Sequence, residues 1–220
     1  MQKIKTISFD LWNTLIKSNP EFKKERNFII SKYCNFDIKT INSTFNNVKK
    51  DLDGIVEKFG ISFTSEQAYA KVFNILNIDK NKFRIIKNAC DILFIEHLPL
   101  IISNTENILD NLSKKYELVI SSNTLFVSSA VLKTSLEHLR LDKYFHHMYF
   151  SDKLGVSKPH INFFKEVHIN STSLINEILH VGDNTITDIA GASEYGFEIY
   201  EFSKLYNNNI NTLYTELNKK

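Results

Sequence analysis

The chain has 220 residues, and 27 Lys and Arg against 25 Asp and Glu leave a formal net charge of +2. That near balance supplies no electrostatic pull toward nucleic acid or an anionic membrane, and no apolar run approaches the ~20 residues of a membrane-spanning helix. Cys34 and Cys90 are the only cysteines, too few for a disulfide framework or a zinc site, so free thiols in a reducing compartment are expected.

Met1-Gln2-Lys3-Ile4-Lys5 runs straight into an apolar segment, which is read as leaving no room for a signal peptide. The expectation is a cytoplasmic protein, monomer or homodimer, with one large domain or a core plus a smaller insertion. Ile4 to Phe9 reads as a buried strand delivering Asp10 to a sheet edge. Ile16 to Asn19 is a polar connection, and Pro20 suits the first turn of a helix capped by Asn19. Helical spacing then continues to His97. Ile41, Phe45, Val48, Leu52 and Val56 recur at three- and four-residue steps before Gly60, and further helices follow from Ser65 and from Phe83. About four helices and no strand make a bundle inserted after the first strand. Lys23, Lys24 and Arg26 within it read as a solvated helix face.

Past Pro99 the pattern alternates between strand and helix. Leu118-Val119-Ile120 is a short strand ending in Ser121-Ser122-Asn123-Thr124. Met148-Tyr149-Phe150 precedes a loop with Gly155, Lys158 and Pro159. Ile178-Leu179-His180-Val181 ends in Gly182-Asp183, a helix covers about Asp188 to Tyr195, and Phe197 to Phe202 is a last strand. Asn207-Asn208-Asn209 reads as a loop before a short C-terminal helix. Such alternation implies an α/β fold, a Rossmann-like parallel sheet with helices on both faces.

In a parallel sheet the strand ends share one edge, and the chemistry gathers there. Asp10, Ser122 and Asn123, Lys158 and Asp183 would meet at that edge. Carboxylates, a hydroxyl and an ammonium are the set that phosphoryl transfer uses: a carboxylate nucleophile, hard oxygens for a cation, and donors for the phosphoryl oxygens.

Four segments resemble the haloacid dehalogenase (HAD) superfamily. They are Phe9-Asp10-Leu11-Trp12-Asn13-Thr14-Leu15, Val119-Ile120-Ser121-Ser122-Asn123-Thr124, Gly155-Val156-Ser157-Lys158-Pro159, and Val181-Gly182-Asp183-Asn184-Thr185-Ile186-Thr187-Asp188. The helical insertion resembles the subfamily I type with a helical C1 cap. The resemblance implies a core of residues 1–16 and 98–220 and an all-helical cap of residues 17–97. It implies Asp10 as the nucleophile of a covalent aspartyl intermediate, Ser122 on the transferring phosphoryl group and Lys158 neutralising charge. It also implies Mg²⁺ held by Asp10, Asp183, the backbone carbonyl of Trp12, and Asp188 directly or through water. The partner would be a small phosphorylated metabolite, with Asn123, Lys17 and the Trp12 side chain as candidate substrate contacts. Lys17, Ser18 and Asn19, which follow the nucleophile loop, are candidates to contact an anionic substrate; Arg26 is either a further such contact or part of the solvated face of the first cap helix.

One position departs from that pattern. Phosphatases of the family carry a second aspartate two residues after the nucleophile, where this chain has Trp12. Indole has one weak donor and no carboxyl, and a positioned general acid or base contributes ~10²–10⁴-fold. A slow phosphatase, one needing good leaving groups, or an enzyme with its acid supplied from the cap or the substrate is expected. The 2-haloacid dehalogenases, with an aromatic residue there and no metal, are the alternative. Asn13 stands where they have glycine, and Asp183 with Asp188 keeps an acidic pattern that their loop lacks. A catalytically impaired binding or regulatory module is a further alternative.

Overall fold

The computed structural model describes residues 4–203 and 209–219. The chain runs through β1 (Thr6–Phe9) and β2 (Ile16–Lys17) into four helices, α1 (Pro20–Ser31), α2 (Ile38–Phe59), α3 (Ser65–Ile75) and α4 (Phe83–Glu96). It returns through β3 (Leu100–Ile101), α5 (Thr105–Ser113), β4 (Glu117–Ser122), α6 (Ser129–His138), β5 (His147–Phe150), α7 (Ser151–Leu154) and α8 (Ile161–Ile169). Then come β6 (Ile178–Gly182), α9 (Gly191–Tyr195), β7 (Glu198–Glu201) and α10 (Ile210–Asn218).

Five strands form one sheet in the order β5-β4-β1-β6-β7, and every pairing in it is parallel. All four residues of β1 are buried, as a central strand covered on both faces requires. In its register Phe9 lies opposite Ile120 on one side and Val181 on the other. From β1 the chain builds β4 and β5 on one flank, then crosses to lay β6 and β7 on the other. The strand order therefore reverses at the carboxyl end of β1, where an open α/β sheet forms its crevice. Asp10 is the next residue.

The helices between β2 and β3 follow from local signals. The Asn19 side chain accepts from Glu21 N–H, and Pro20 opens α1. Gly60 ends α2 in the left-handed region at φ 63°, a conformation glycine adopts without Cβ strain. Thr64 and Gln67 cap α3 reciprocally. The inner faces make their own apolar cluster around Ile30, Ile41, Phe45, Leu52, Tyr69 and Ile86. Phe22, Leu93 and Phe94 from α1 and α4 pack instead with the sheet residues Ile7, Phe9, Leu118 and Val181. Leu125 and Phe126, just past β4, reach up against the helical cluster.

Several local expectations change. The polar connection at Ile16 to Asn19 contains β2, which pairs antiparallel with β3 where the chain enters and leaves the helical layer; two-residue strands carry no readable alternation. The helix expected from Asp188 is a π-helical segment over Thr185–Ala190 leading into α9. Lys23 and Lys24 are exposed, but Arg26 of the same basic cluster is 5% exposed and faces the bundle interior. Asn207 and Asn208 lie outside the described residues, while Asn209 caps α10. Among the described residues no helix is long and apolar enough to cross a membrane.

Candidate active site

Asp10 is fixed by its backbone N–H, which donates to Val181 O at 2.8 Å and extends the β1–β6 ladder. Its carboxylate is nearly buried. Thr14 Oγ1 donates to Asp10 Oδ2 at 3.3 Å. The turn that brings Thr14 back places Asn13 at φ 59°, and Leu15 and Ile16 N–H both donate to Leu11 O at 3.0 Å. Asparagine is among the few non-glycine residues that take that conformation readily.

Lys158 reaches Asp10 from the loop after α7. The Asn123 side chain grips its backbone at two points: Nδ2 donates to Lys158 O and Lys158 N–H donates to Asn123 Oδ1, both at 2.9 Å. The ammonium, 1% exposed, donates to Asp10 Oδ1 at 2.8 Å and to Asp188 Oδ1 at 2.5 Å. Asn123, expected as a substrate contact, thus spends its amide on the backbone of the Lys158 loop.

Asp188 has little capacity left. Oδ1 also accepts from His180 Nε2 at 3.3 Å, and Oδ2 accepts from Asn184 N–H at 3.0 Å. Its packing explains Gly182, where a Cβ would lie 2.4 Å from Asp188 Cγ. His180 Nδ1 lies 2.9 Å from Ser8 Oγ, which lies 2.7 Å from Ser121 Oγ. With Nε2–H donating to a carboxylate, a neutral ring must accept at Nδ1 from Ser8. A buried polar chain therefore runs across β4, β1 and β6 beneath the site and ends on Asp188. Sequence reading missed it. Ser8, Ser121 and His180 carry no motif, and only the strand register brings them to one face.

Asp183, one residue past β6, completes the set. Carboxylate oxygens of Asp10, Asp183 and Asp188 lie within 4.8 Å of one another. Ser122 ends β4 fully buried, with only a long 3.4 Å contact from its hydroxyl to Asn123 O. Trp12 is half-buried, its indole meeting Phe94 edge-on at 6.4 Å between ring centres. Lys17 sits in β2 opposite Leu100 and is exposed. The helical layer also touches these loops: Asn184 Nδ2 donates to Glu57 Oε1 at 3.1 Å, and Ser157 N–H donates to Gly60 O at 2.9 Å.

Burial, then the nearby Asp188 and Asp183 charges, pushes Asp10 up to about 7 against the pull of Lys158. Burial opposes charge on Lys158 too, but Asp10 and Asp188 outweigh it and raise the ammonium further. Burial likewise disfavours a charged Asp188, yet Lys158 and His180 overcome it and hold that carboxyl well below the usual range. Burial and Asp188 raise Asp183. Three carboxylates against one ammonium leave two uncompensated negative charges when all are ionised. Hard, anionic oxygens in that number suit a divalent cation. Asp10 and Asp183, which are less heavily engaged, keep lone pairs for it, although Asn13 hydrogen-bonds Asp183; Asp188 is bonded at both oxygens by Lys158, His180 and Asn184.

The sequence model for haloacid dehalogenase-like hydrolases matches residues 7–201, and the chain belongs to that family. Among solved structures, the HAD-hydrolase YfnB from Bacillus subtilis bound to magnesium superposes with TM-score 0.76 at 15% identity, covering 99% of this chain and all of that one. A 2-haloacid dehalogenase from Pseudomonas syringae pv. Tomato DC3000 gives 0.69 at 16% identity, covering 98% of each chain. A HAD phosphatase from Thermococcus onnurineus gives 0.68 at 16% identity, covering 97% of this chain and 98% of that one. A search of curated proteins found no match.

Proposed function

We propose that the protein is a Mg²⁺-dependent phosphatase of a small phosphorylated metabolite, acting through an aspartyl phosphate on Asp10. The observation that carries this reading is Asp183. Its carboxylate, which carries no ion pair among the described residues, lies beside a nucleophile that Lys158 alone does not fully neutralise. A 2-haloacid dehalogenase needs no such group, and two acidic side chains this close repel unless a cation sits between them. The charge deficit and the oxygen donors fit Mg²⁺, which the Asp10 and Asp183 carboxylates and the Trp12 carbonyl would hold. When bound, it supplies charge neutralisation for the incoming dianion.

The chain's own groups then divide the work. The Asp10 carboxylate attacks phosphorus as the P–O ester bond breaks, and the leaving oxygen departs as its anion. Lys158, tethered by Asp188 on one side and Asn123 on the other, meets the charge of the nucleophile and of the phosphoryl oxygens. The Ser122 hydroxyl, weakly engaged at 3.4 Å, is free to donate to a phosphoryl oxygen. Water cleaves the aspartyl phosphate and regenerates Asp10. Trp12 offers no proton to the leaving oxygen, so substrates whose leaving groups need none react fastest. We read the helical layer as a cap, residues 17–97, over a core of residues 1–16 and 98–220.

Turnover of para-nitrophenyl phosphate tests the reading. It should require Mg²⁺ and vanish in Asp10→Asn; no turnover by a folded protein on this or any screened phosphate overturns it. The aromatic Trp12 favours one rival, C–halogen cleavage. Halide release from a 2-haloacid in the presence of a chelator would establish that rival instead.

A further inference from the structure

Arg26 is a buried cation without a counter-anion. Its guanidinium carbon lies 3.5 Å from the centre of the Phe45 ring and 5.7 Å from that of Phe22. Nε and Nη2 both donate to Asn27 Oδ1, at 3.1 and 2.9 Å. The Tyr69 side chain also hydrogen-bonds the guanidinium, so its neighbours are rings, a phenol hydroxyl and a neutral amide. Among the described residues no carboxylate lies within 4.0 Å of the guanidinium. The other buried cation of the bundle, Lys87, is bonded at 2.6 Å to both oxygens of Asp91. A guanidinium cannot shed its proton in a protein, and burying a charge unpaired is costly.

Its position relates it to the site. Phe45 meets Phe126 at 5.1 Å between ring centres, and Phe126 is four residues past Ser122. On the other side Phe22 meets Phe94 at 5.1 Å, and Phe94 meets Trp12. The rings around Arg26 thus reach down to the Ser122 loop and to the Asp10 loop. On the phosphatase reading, a substrate with its phosphoryl group on Asp10 would extend its remainder between those loops and the helical layer.

We propose that Arg26 binds a second anionic group of the substrate, a carboxylate or a second phosphate. The substrate class is then a phosphorylated acid or a bisphosphate, a deduction that rests on the phosphatase reading. Arginine suits the task because its planar fork grips either anion through two N–H groups.

Matched pairs test this: phosphoglycolate with hydroxyethyl phosphate, phosphoglycerate with glycerol phosphate, phosphogluconate with sorbitol phosphate, and fructose bisphosphate with fructose monophosphate. In at least one pair, the wild type should turn over the anionic member with kcat/KM at least about tenfold above its partner. Arg26→Gln should remove that preference. Arg26→Lys, which keeps the charge and the fold but loses the fork, should reduce it. A wild type that distinguishes no pair, or a preference that survives Arg26→Gln or is unchanged in Arg26→Lys, overturns the assignment. Calorimetric binding of the same pairs to Asp10→Asn separates the two claims. If nothing turns over, the phosphatase reading fails, while tighter binding of the anionic member that Arg26→Gln removes still upholds Arg26. Equal binding within every pair overturns it.

Discussion

Trp12→Asp places a carboxyl where an acid could protonate the leaving oxygen. The gain is bounded by what a positioned general acid contributes, ~10²–10⁴-fold, or about 3–5 kcal/mol of barrier. The cost is lost packing. The indole is half-buried and touches Phe94 with one edge, so it forfeits about half the ~3–5 kcal/mol of a fully buried large side chain, or ~2 kcal/mol. That is a minority of a typical ~5–15 kcal/mol stability, and the variant should stay folded. The assay compares an alkyl phosphate with para-nitrophenyl phosphate. The nitrophenolate needs little protonation, so the alkyl-to-nitrophenyl rate ratio should rise by at least about tenfold. A ratio that does not move in a folded variant refutes the claim that proton supply limits the reaction. A fall on both substrates assigns the indole a positive role.

Lys158→Met strands Asp10 and Asp188 as buried carboxylates; a melting experiment should show a loss of ~3–5 kcal/mol at neutral pH, and turnover should vanish. His180 is held neutral by burial, so the folded state takes up fewer protons than the unfolded chain below the ordinary histidine value of 6.5. The unfolding free energy should therefore fall as pH drops below 6.5, and His180→Gln should flatten that slope relative to wild type while keeping a donor toward Asp188. His180→Leu removes the donor and should cost ~1–3 kcal/mol together with kcat. Gly182→Ala forces a Cβ to within 2.4 Å of Asp188 Cγ; phosphatase assays should show kcat falling sharply as Asp188 and Lys158 are displaced. Mg²⁺ at about a hundred times its dissociation constant should raise the unfolding free energy by about 2.7 kcal/mol, and Asp183→Asn should abolish that gain in a thermal melt.

The candidate site at the sheet edge was legible because β1, β4 and β6 each end in a chemically distinctive residue, and parallel strands align their ends. Asp10, Lys158, and Asp183 with Asp188 are brought together from three separate segments. What was not legible depends on register or on helix rotation. Ser8, Ser121 and His180 are ordinary strand residues until pairing puts them on one face. Arg26 follows Lys23 and Lys24 in sequence, yet it falls on the face of α1 that buries Phe22 and Ile30. Asn123 looked like a substrate contact by its place in the motif; its amide is consumed by the backbone of a residue 35 positions away. The Glu57 contact to Asn184 spans 127 positions and leaves no local signal.

The central claim is that phosphorus, bound to Asp10, is the atom that water attacks. A single turnover of para-nitrophenyl phosphate with excess enzyme and Mg²⁺ in heavy-oxygen water tests it directly. Attack at phosphorus puts the label in the released phosphate and leaves the Asp10 peptide unlabelled, which is the predicted result. Label in the Asp10 carboxylate would mean that water attacks the acyl carbon, as for an alkyl ester intermediate, and would contradict the account.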